Sequence, residues 1–184
     1  MLMNRDDCVL LVVDMQERLL PVIHDWQRLL DNVMWLVQVA QKMGVPVLPV
    51  ELYPPGLGQT HPDLRALLPP QSIIEKMHFS CVAGGMFQPR QSESPGAERH
   101  QVVVCGIESH VCVLQTALEL REQGRAVFVV ADAVSSRDPA NKELALERMR
   151  RHEVDVVSRE MVAYEWLKQG GTPLFKEISS QFLR

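Results

Sequence analysis

The stretch that decides the fold is VVVCGIESHVCVLQTALEL, residues 102–120. It opens with an apolar run, which is typical of a strand buried on both faces. A glycine and a short polar turn follow, and then a helix is predicted over 110–123, with Gly124 as its stop signal. A strand that passes directly into a helix indicates a sheet with helices packed on it. The unit also puts a thiol, Cys112, where the turn enters the helix.

The rest of the chain continues this alternation of strands and helices. Pro46 and Pro49 weaken the second predicted strand, because proline cannot donate to a ladder. Alternating elements imply parallel strands joined by right-handed crossovers. We therefore expect an α/β, three-layer, Rossmann-like fold, with a six-stranded parallel sheet and helices on both faces, in a single domain over 1–184. Besides the strand at 102–105, strands are predicted at 8–13, 45–50, 72–76, 126–130 and 154–157, and further helices at 25–43, 141–151, 159–169 and 173–182.

Composition narrows the class of partner. The net charge of −4 gives no electrostatic basis for binding nucleic acid. The longest apolar runs have six residues, whereas a membrane span needs about 20. The four cysteines form no C-x-x-C pair, and Asp7 and Asp14 bracket the first apolar run, so we expect no signal peptide and reduced thiols in a cytoplasmic protein. We expect a small-molecule substrate, no nucleic acid and no membrane.

Three chemically active side chains follow predicted strands. In an open parallel sheet, ligands bind outside the carboxyl ends of the strands, and Asp14, Lys76 and Cys112 all belong to that edge. A thiol attacks as the thiolate, and its pKa falls at a helix N-terminus or beside a cation. Asp14 would accept the thiol proton, and backbone N–H groups of the turn would bind an oxyanion. Each residue also has a purely structural interpretation. Asp14 could cap the turn after its strand, Lys76 could be a solvated strand end, and Cys112 could be a core cysteine.

Three separated motifs resemble the isochorismatase-like cysteine hydrolase family. They are VDMQ at 13–16, EKMHFS at 75–80 and GIESHVCV at 106–113. The resemblance implies a catalytic triad of Asp14, Lys76 and Cys112. It also implies a cis peptide bond between Ile107 and Glu108, and an oxyanion hole formed by the N–H groups of Glu108 and Cys112.

Within that family, the chain is similar to the YcaC-type branch. The similarity lies in ELYPPGLG at 51–58, VCVLQTA at 111–117 and ELALERM at 143–149. Nicotinamidases of the family carry an Asp-x-His metal site after strand two, but this chain has Glu-Leu-Tyr at 51–53, so we expect no metal and no cofactor. Residues 81–99 depart from the family pattern, and the composition of 84–99 favours a partly disordered connection. Our candidates for the substrate pocket are Gln16, Glu51, Tyr53, Phe79 and His110.

Two classes of function remain open. The first is an amidase-like hydrolase that acts on a small C–N substrate through a Cys112 thioester. The second is a non-catalytic or redox-responsive oligomeric protein with Cys112 as a sensor thiol. The set of Asp14, Lys76 and Cys112 favours the first, because a sensor needs no carboxylate base. A nucleotide-binding module is weakly supported, since no G-x-G-x-x-G follows strand one. The presence of Cys112 argues against isochorismate hydrolysis, because the family's isochorismate hydrolases lack that cysteine.

The family resemblance also implies a homo-oligomer, a dimer or a higher assembly. The two predicted C-terminal helices carry more apolar side chains than a terminal cap usually needs. These side chains either pack in the core or contact another subunit. They are Met161, Tyr164, Trp166, Leu167, Leu174, Phe175, Ile178 and Phe182.

Overall fold

The computed structural model describes residues 1–69, 71–87 and 96–183. A six-stranded sheet forms its centre, and every pair of neighbouring strands is parallel. The strands are β1 (Cys8–Val13), β2 (Val47–Leu52), β3 (Ile74–Lys76), β4 (Gln101–Ile107), β5 (Ala126–Ser135) and β6 (Asp155–Val157). Their order is β3-β2-β1-β4-β5-β6, so the direction of winding reverses between β1 and β4. The crevice at such a reversal is where doubly wound sheets bind ligands.

Helices cover both faces of the sheet, which confirms the predicted fold class. They are α1 (Trp26–Met43), α2 (Pro54–Leu57), α3 (Pro62–Arg65), α4 (Leu114–Glu122), α5 (Pro139–Arg151), α6 (Arg159–Leu167) and α7 (Pro173–Phe182). Helices α1, α6 and α7 share one apolar core with the sheet, while α4 and α5 share the other. In the described part of the chain, no helix combines the length and apolar character that a membrane crossing needs.

Strand β1 shows why an unbroken apolar run is required at the centre. Leu10 and Val12 enter the core beneath α1, whereas Val9, Leu11 and Val13 enter the core beneath α4 and α5. All six residues of the strand are buried. Successive side chains of a strand point to opposite faces, so a sheet covered on both faces needs apolar residues at every position.

Proline is tolerated in β2 because of its register. The carbonyl of Val50 accepts a hydrogen bond from the N–H of Asp14, 3.2 Å away, so the even-numbered residues face β1. The nitrogen of Pro49 therefore faces the β3 side, where pairing begins only at Val50 opposite Ile74. The missing donor falls where no ladder partner exists.

The largest differences from the sequence prediction lie in β5 and before α4. Strand β5 continues past Val130, the predicted end, to Ser135. Ala131 and Asp132 are only partly buried, so they interrupt the buried run in the sequence without ending the strand. The predicted helix start at 110 is wrong, since a π-helical turn (Ser109–Val113) comes first. In this turn the N–H of Val113 donates to the carbonyl of Glu108 at 3.2 Å.

The structure also bears on two further segments. The composition of 84–99 favours a partly disordered connection, but in its described part Met86, Phe87 and Ala97 are buried in the core beneath α4 and α5, whereas residues 88–95 lie outside the described residues. Among the C-terminal apolar side chains, Met161 and Tyr164 are 46% and 50% exposed. The other six, Trp166, Leu167, Leu174, Phe175, Ile178 and Phe182, pack in or against the core.

Gly106 lets β4 approach the end of β1. It pairs with Val13 and has a φ of +110°. A Cβ at this position would lie 2.1 Å from the Val13 carbonyl oxygen and 2.7 Å from its nitrogen. Only glycine fits both the conformation and the contact, and the contact is immediately before Asp14.

We expect Gly106→Ala to lower the free energy of unfolding by roughly 3 kcal/mol or more, because strain in φ and a backbone clash add together. Gly124→Ala is the matched control, since Gly124 also has a positive φ, +80°, but has open space where its Cβ would be. That control should lose about 1–2 kcal/mol. Urea unfolding of both variants measures the difference, and equal losses would contradict the close-contact argument.

Candidate active site

Asp14 stands at the carboxyl end of β1 in an unusual backbone conformation. Its φ is +51°, in the left-handed region that few residues other than glycine adopt. Its N–H is bonded to β2, and its carbonyl accepts the N–H of Gln16 at 2.7 Å. Strained backbone of this kind persists where the surrounding structure enforces it, often at functional sites.

Lys76, at the end of β3, forms a buried ion pair with Asp14. The distance from Nζ to Oδ2 is 2.8 Å, and the two side chains are 2% and 1% exposed. The ammonium group also donates to the carbonyl oxygens of Phe79 at 3.0 Å and His78 at 3.3 Å. An ammonium group has three hydrogens, so these three acceptors use all of them and fix its position.

The other oxygen of Asp14 remains available. Oδ1 is buried and has no hydrogen-bond partner among the described residues. Burial raises the pKa of the Asp14 carboxyl, while the charge and hydrogen bond of Lys76 and the neighbouring Cys112 thiol oppose the rise. Asp14 is therefore more basic than its ion pair alone would make it, and it keeps a free lone pair for a proton.

Cys112 lies beside this carboxyl and is 4% exposed. Each group acts on the pKa of the other, although Oδ1 has no hydrogen bond of standard geometry. The structure thus brings Asp14, Lys76 and Cys112 together. Catalytic contacts often tighten only when substrate is bound, so this arrangement is compatible with proton transfer from sulfur to carboxylate.

The predicted low pKa of Cys112 is wrong. Burial raises the pKa of the thiol and the charge of Asp14 raises it further, against the opposing effect of Lys76. The physical reason is position: the thiol is enclosed in the turn before α4, which begins only at Leu114, and it faces a carboxylate. Cys112 is therefore protonated at neutral pH.

The remaining thiols are more deeply enclosed. Cys8, Cys81 and Cys105 are all 0% exposed. Burial raises the pKa of Cys8 to about 11 and that of Cys81 to about 12. Cys81 lies near the site, with its N–H donating to the Thr116 hydroxyl at 3.0 Å. Cys112 is the most accessible of the four.

The turn between β4 and Cys112 is held by its neighbours. The peptide bond between Ile107 and Glu108 is cis. The Glu108 carboxylate is bonded to Arg137, which follows β5, and His110 Nδ1 is 2.9 Å from the Ser136 hydroxyl. Burial alone would raise the pKa of Glu108, but the hydrogen bonds and charge of Arg137 outweigh it and lower that pKa. Arg137 was missed from the sequence, where the polar run Ser-Ser-Arg after an apolar strand was the available signal.

The five pocket candidates divide into interior and surface groups. Gln16 is fully buried, and its amide bonds the backbone of Leu52 and Gly58, so it fastens the chain after β2. Glu51 is buried and accepts both the N–H and the hydroxyl of Thr60, at 2.5 and 2.7 Å. Tyr53 and Phe79 are 47% and 52% exposed, and His110 is half-buried. The structure thus places only the last three near the surface.

Glu51 also borders a hollow of about 440 Å³ at the end of β2, together with Arg65 and Glu75. Within the described residues, no group of three or more His, Cys, Asp and Glu side chains is arranged to hold a metal ion.

Known proteins resemble this chain in sequence and in structure. The family model described as "Isochorismatase domain" matches residues 8–161. Isochorismatase domain-containing protein 2 of Danio rerio is 36% identical over 171 residues, which cover 92% of this chain and 84% of the relative. The structure of MAR1 ribonuclease from Caenorhabditis elegans has a TM-score of 0.88 and 29% identity, covering 100% of this chain and 93% of that one.

A third similar protein is the Escherichia coli YcaC gene product, which is described as an octameric hydrolase of unknown specificity. Its structure has a TM-score of 0.80 and 24% identity, and the match covers 91% of this chain and 83% of that one. Because the identity is only 24%, this similarity shows a shared fold and nothing more.

Removing one partner of the buried ion pair should be costly. We expect Lys76→Met to lower the free energy of unfolding by roughly 3–5 kcal/mol, because it leaves the Asp14 charge buried and unpaired. Lys42→Met breaks the half-exposed pair with Glu177, whose atoms are 2.7 Å apart, and should cost about 0–1 kcal/mol. Equal losses of unfolding free energy in chemical denaturation would show that burial does not raise the cost of breaking an ion pair here.

The raised pKa of Cys112 predicts the pH dependence of its alkylation. A group whose pKa is raised stays protonated over the neutral range, so the thiolate fraction grows about tenfold per pH unit. The rate of iodoacetamide labelling at Cys112 should rise from pH 7 to pH 9 without a plateau, with Cys8, Cys81 and Cys105 labelled more slowly. Site-resolved mass spectrometry measures it, and a plateau below pH 8 would indicate a lowered pKa instead.

Proposed function

Because this chain belongs to the isochorismatase family, a family of hydrolases, we propose that it is a YcaC-type cysteine hydrolase that cleaves a C–N bond in a small amide-like substrate. The observation that carries the proposal is that the two oxygens of Asp14 differ in their hydrogen bonding. Lys76 holds Oδ2, while Oδ1 has no partner in the described chain and lies in the region of the Cys112 thiol. That is the arrangement a general base needs next to a nucleophile.

The first half of the reaction forms a thioester. As Cys112 Sγ bonds to the substrate carbonyl carbon, Asp14 takes the thiol proton and the carbonyl π electrons move to oxygen. The N–H groups of Glu108 and Cys112 bind this oxyanion. When the oxyanion collapses, the C–N bond breaks and the leaving nitrogen takes the proton from Asp14.

The second half restores the enzyme. Asp14 removes a proton from water as the water oxygen attacks the thioester carbonyl. Collapse of this second oxyanion breaks the C–S bond, and the departing sulfur takes the proton back from Asp14. Lys76 remains bonded throughout and keeps the carboxylate in one orientation.

The sensor-thiol alternative is less well supported. A sensor cysteine is usually accessible and has a low pKa, whereas Cys112 is 4% exposed and its pKa is raised. A buried ion pair is also costly to desolvate, and a sensor does not need one.

We propose a small molecule as the substrate, although one similar structure is described as a ribonuclease. The chain has a net charge of −4, and binding to a phosphate backbone relies on clustered positive charge. Tyr53, Phe79 and His110 are our proposed contacts at the entrance to the site.

We also propose that the protein is a homo-oligomer, a dimer or a higher assembly. Met161 and Tyr164 on α6 are the C-terminal apolar side chains left exposed for such a contact.

The function is tested with a panel of small amides and ureides, with ammonia release as the readout. For any substrate found, Cys112→Ser should lower kcat/KM by roughly 10³-fold or more, and Asp14→Asn by roughly 10²–10⁴-fold. Cys8→Ala is the matched control, because Cys8 lies at the opposite end of β1, and its activity should stay within about twofold. Acid quenching during turnover should trap an acyl group on Cys112, visible as added mass.

Two results would contradict the proposal. Full activity in Cys112→Ser would remove the thioester route. Cleavage of an RNA oligonucleotide that depends on Cys112, with no release of ammonia from any amide, would replace the substrate class.

A further inference from the structure

The side chain of Glu108 accepts several hydrogen bonds from Arg137. The guanidinium donates from Nη2 to Oε1 at 2.8 Å, and from Nε to Oε2 at 3.2 Å and Oε1 at 3.3 Å. The backbone N–H of Arg137 donates to Oε2 at 3.0 Å. Paired contacts between a guanidinium and a carboxylate fix direction as well as distance. The carboxylate is therefore held in one place.

The carbonyl of Glu108 is also fixed. It accepts the N–H groups of Val111 at 3.0 Å and Val113 at 3.2 Å. Within the described residues, the N–H of Glu108 itself makes no hydrogen bond. Glu108 is thus anchored through its carboxylate and its carbonyl, and its free N–H is the group assigned above to the oxyanion hole.

Arg137 also neutralises the negative charge of the Glu108 carboxylate. The pKa of Glu108 is lowered, so the side chain is a carboxylate at neutral pH. A negative charge beside a developing oxyanion opposes it. The Arg137 guanidinium is paired directly with this carboxylate, and it offsets the negative charge of the residue whose N–H is assigned to the oxyanion.

The contact between Arg137 and Glu108 is one of two that hold the turn between β4 and Cys112. Ser136, the residue before Arg137, meets His110 through its hydroxyl at 2.9 Å. Two consecutive residues after β5 therefore hold two positions of the turn that leads to Cys112. Arg137 itself is 59% exposed, so it reaches the buried carboxylate from the surface.

We propose that Arg137 is a positioning residue for acyl transfer: by clamping and neutralising Glu108, it keeps the Glu108 N–H directed at the oxyanion. This inference rests on the proposed function, since it concerns the same reaction. It differs from a purely stabilising salt bridge, because it assigns Arg137 to steps in which a carbonyl oxygen becomes negative and to no others.

Two reagents separate these possibilities without knowledge of the substrate. With 4-nitrophenyl acetate, Cys112 sulfur bonds to the ester carbonyl carbon as Asp14 takes the thiol proton, and the carbonyl oxygen becomes an oxyanion. Its collapse breaks the ester C–O bond, and 4-nitrophenolate leaves to give an S-acetyl thioester. With iodoacetamide, Asp14 again takes the thiol proton as sulfur bonds to the methylene carbon and iodide leaves, but no oxyanion forms. The ratio of the two rates at Cys112, followed by mass spectrometry, reports the oxyanion hole separately from thiol reactivity.

The variants are Arg137→Gln and Arg137→Lys, both of which retain the backbone N–H bonded to Glu108. We expect the acylation-to-alkylation ratio to fall about tenfold or more in Arg137→Gln, because a misdirected donor loses part of the roughly 10²–10³-fold effect of an oxyanion-hole donor. Arg137→Lys keeps the charge and should lie between this variant and the wild type. Arg151→Gln is the control, since it breaks the exposed pair with Glu147 on α5, and its ratio should not change.

An unchanged ratio in Arg137→Gln, or acylation and alkylation that fall together, would overturn the inference while leaving the proposed function intact. If wild-type Cys112 reacts with iodoacetamide but never with the ester, the acyl-transfer function fails and the inference fails with it. Should Arg137→Gln not fold, the ratio in Arg137→Lys decides: a value equal to the wild type rejects the directional role of the guanidinium.

Discussion

The buried ion pair between Asp14 and Lys76 is the interaction on which the rest of the site depends. Taking either charge out of water costs several kcal/mol unless the pair is close and its remaining donors are satisfied. The fold meets both conditions, with Nζ 2.8 Å from Oδ2 and the carbonyls of His78 and Phe79 accepting its other hydrogens. Asp14 follows β1 and Lys76 ends β3, and β2 lies between these strands in the sheet, so the pair links strand ends on either side of β2.

Charge balance explains why the thiol is protonated at rest. Among the described residues, the buried ion pair beside the Cys112 thiol consists of the cation Lys76 and the anion Asp14. A resident thiolate would be a further buried anion, while Lys76 is already paired with Asp14. Desolvation is the largest cause of the raised pKa of Cys112. The proton is best moved when negative charge passes onward to a substrate oxygen that has its own donors. In the proposed reaction, the thiol proton moves to Asp14 as the sulfur attacks, so no resident thiolate is needed.

The sequence was sufficient to predict the sheet and the convergence of Asp14, Lys76 and Cys112, but not the electrostatics. Asp14, Lys76 and Cys112 follow predicted strands, and parallel topology alone brings strand ends to one edge. The pKa of Cys112 depends on how deeply the turn is enclosed, which no local pattern states. Gln16 was a candidate for the substrate pocket, yet its amide is used by the backbone of Leu52 and Gly58. Arg137 was missed because its partner is 29 residues away.

The turn that carries Cys112 is constrained from both neighbouring strands. On the β1 side, Gly106 lies against the backbone of Val13, at a contact that admits no side chain. On the β5 side, Ser136 and Arg137 hold His110 and Glu108. Strand β4 lies between β1 and β5 in the sheet, so the Cys112 thiol and the Glu108 N–H are fixed relative to Asp14 by the sheet itself. A geometry set by strand pairing on two sides leaves little freedom to the turn, which is what a preorganised oxyanion hole requires.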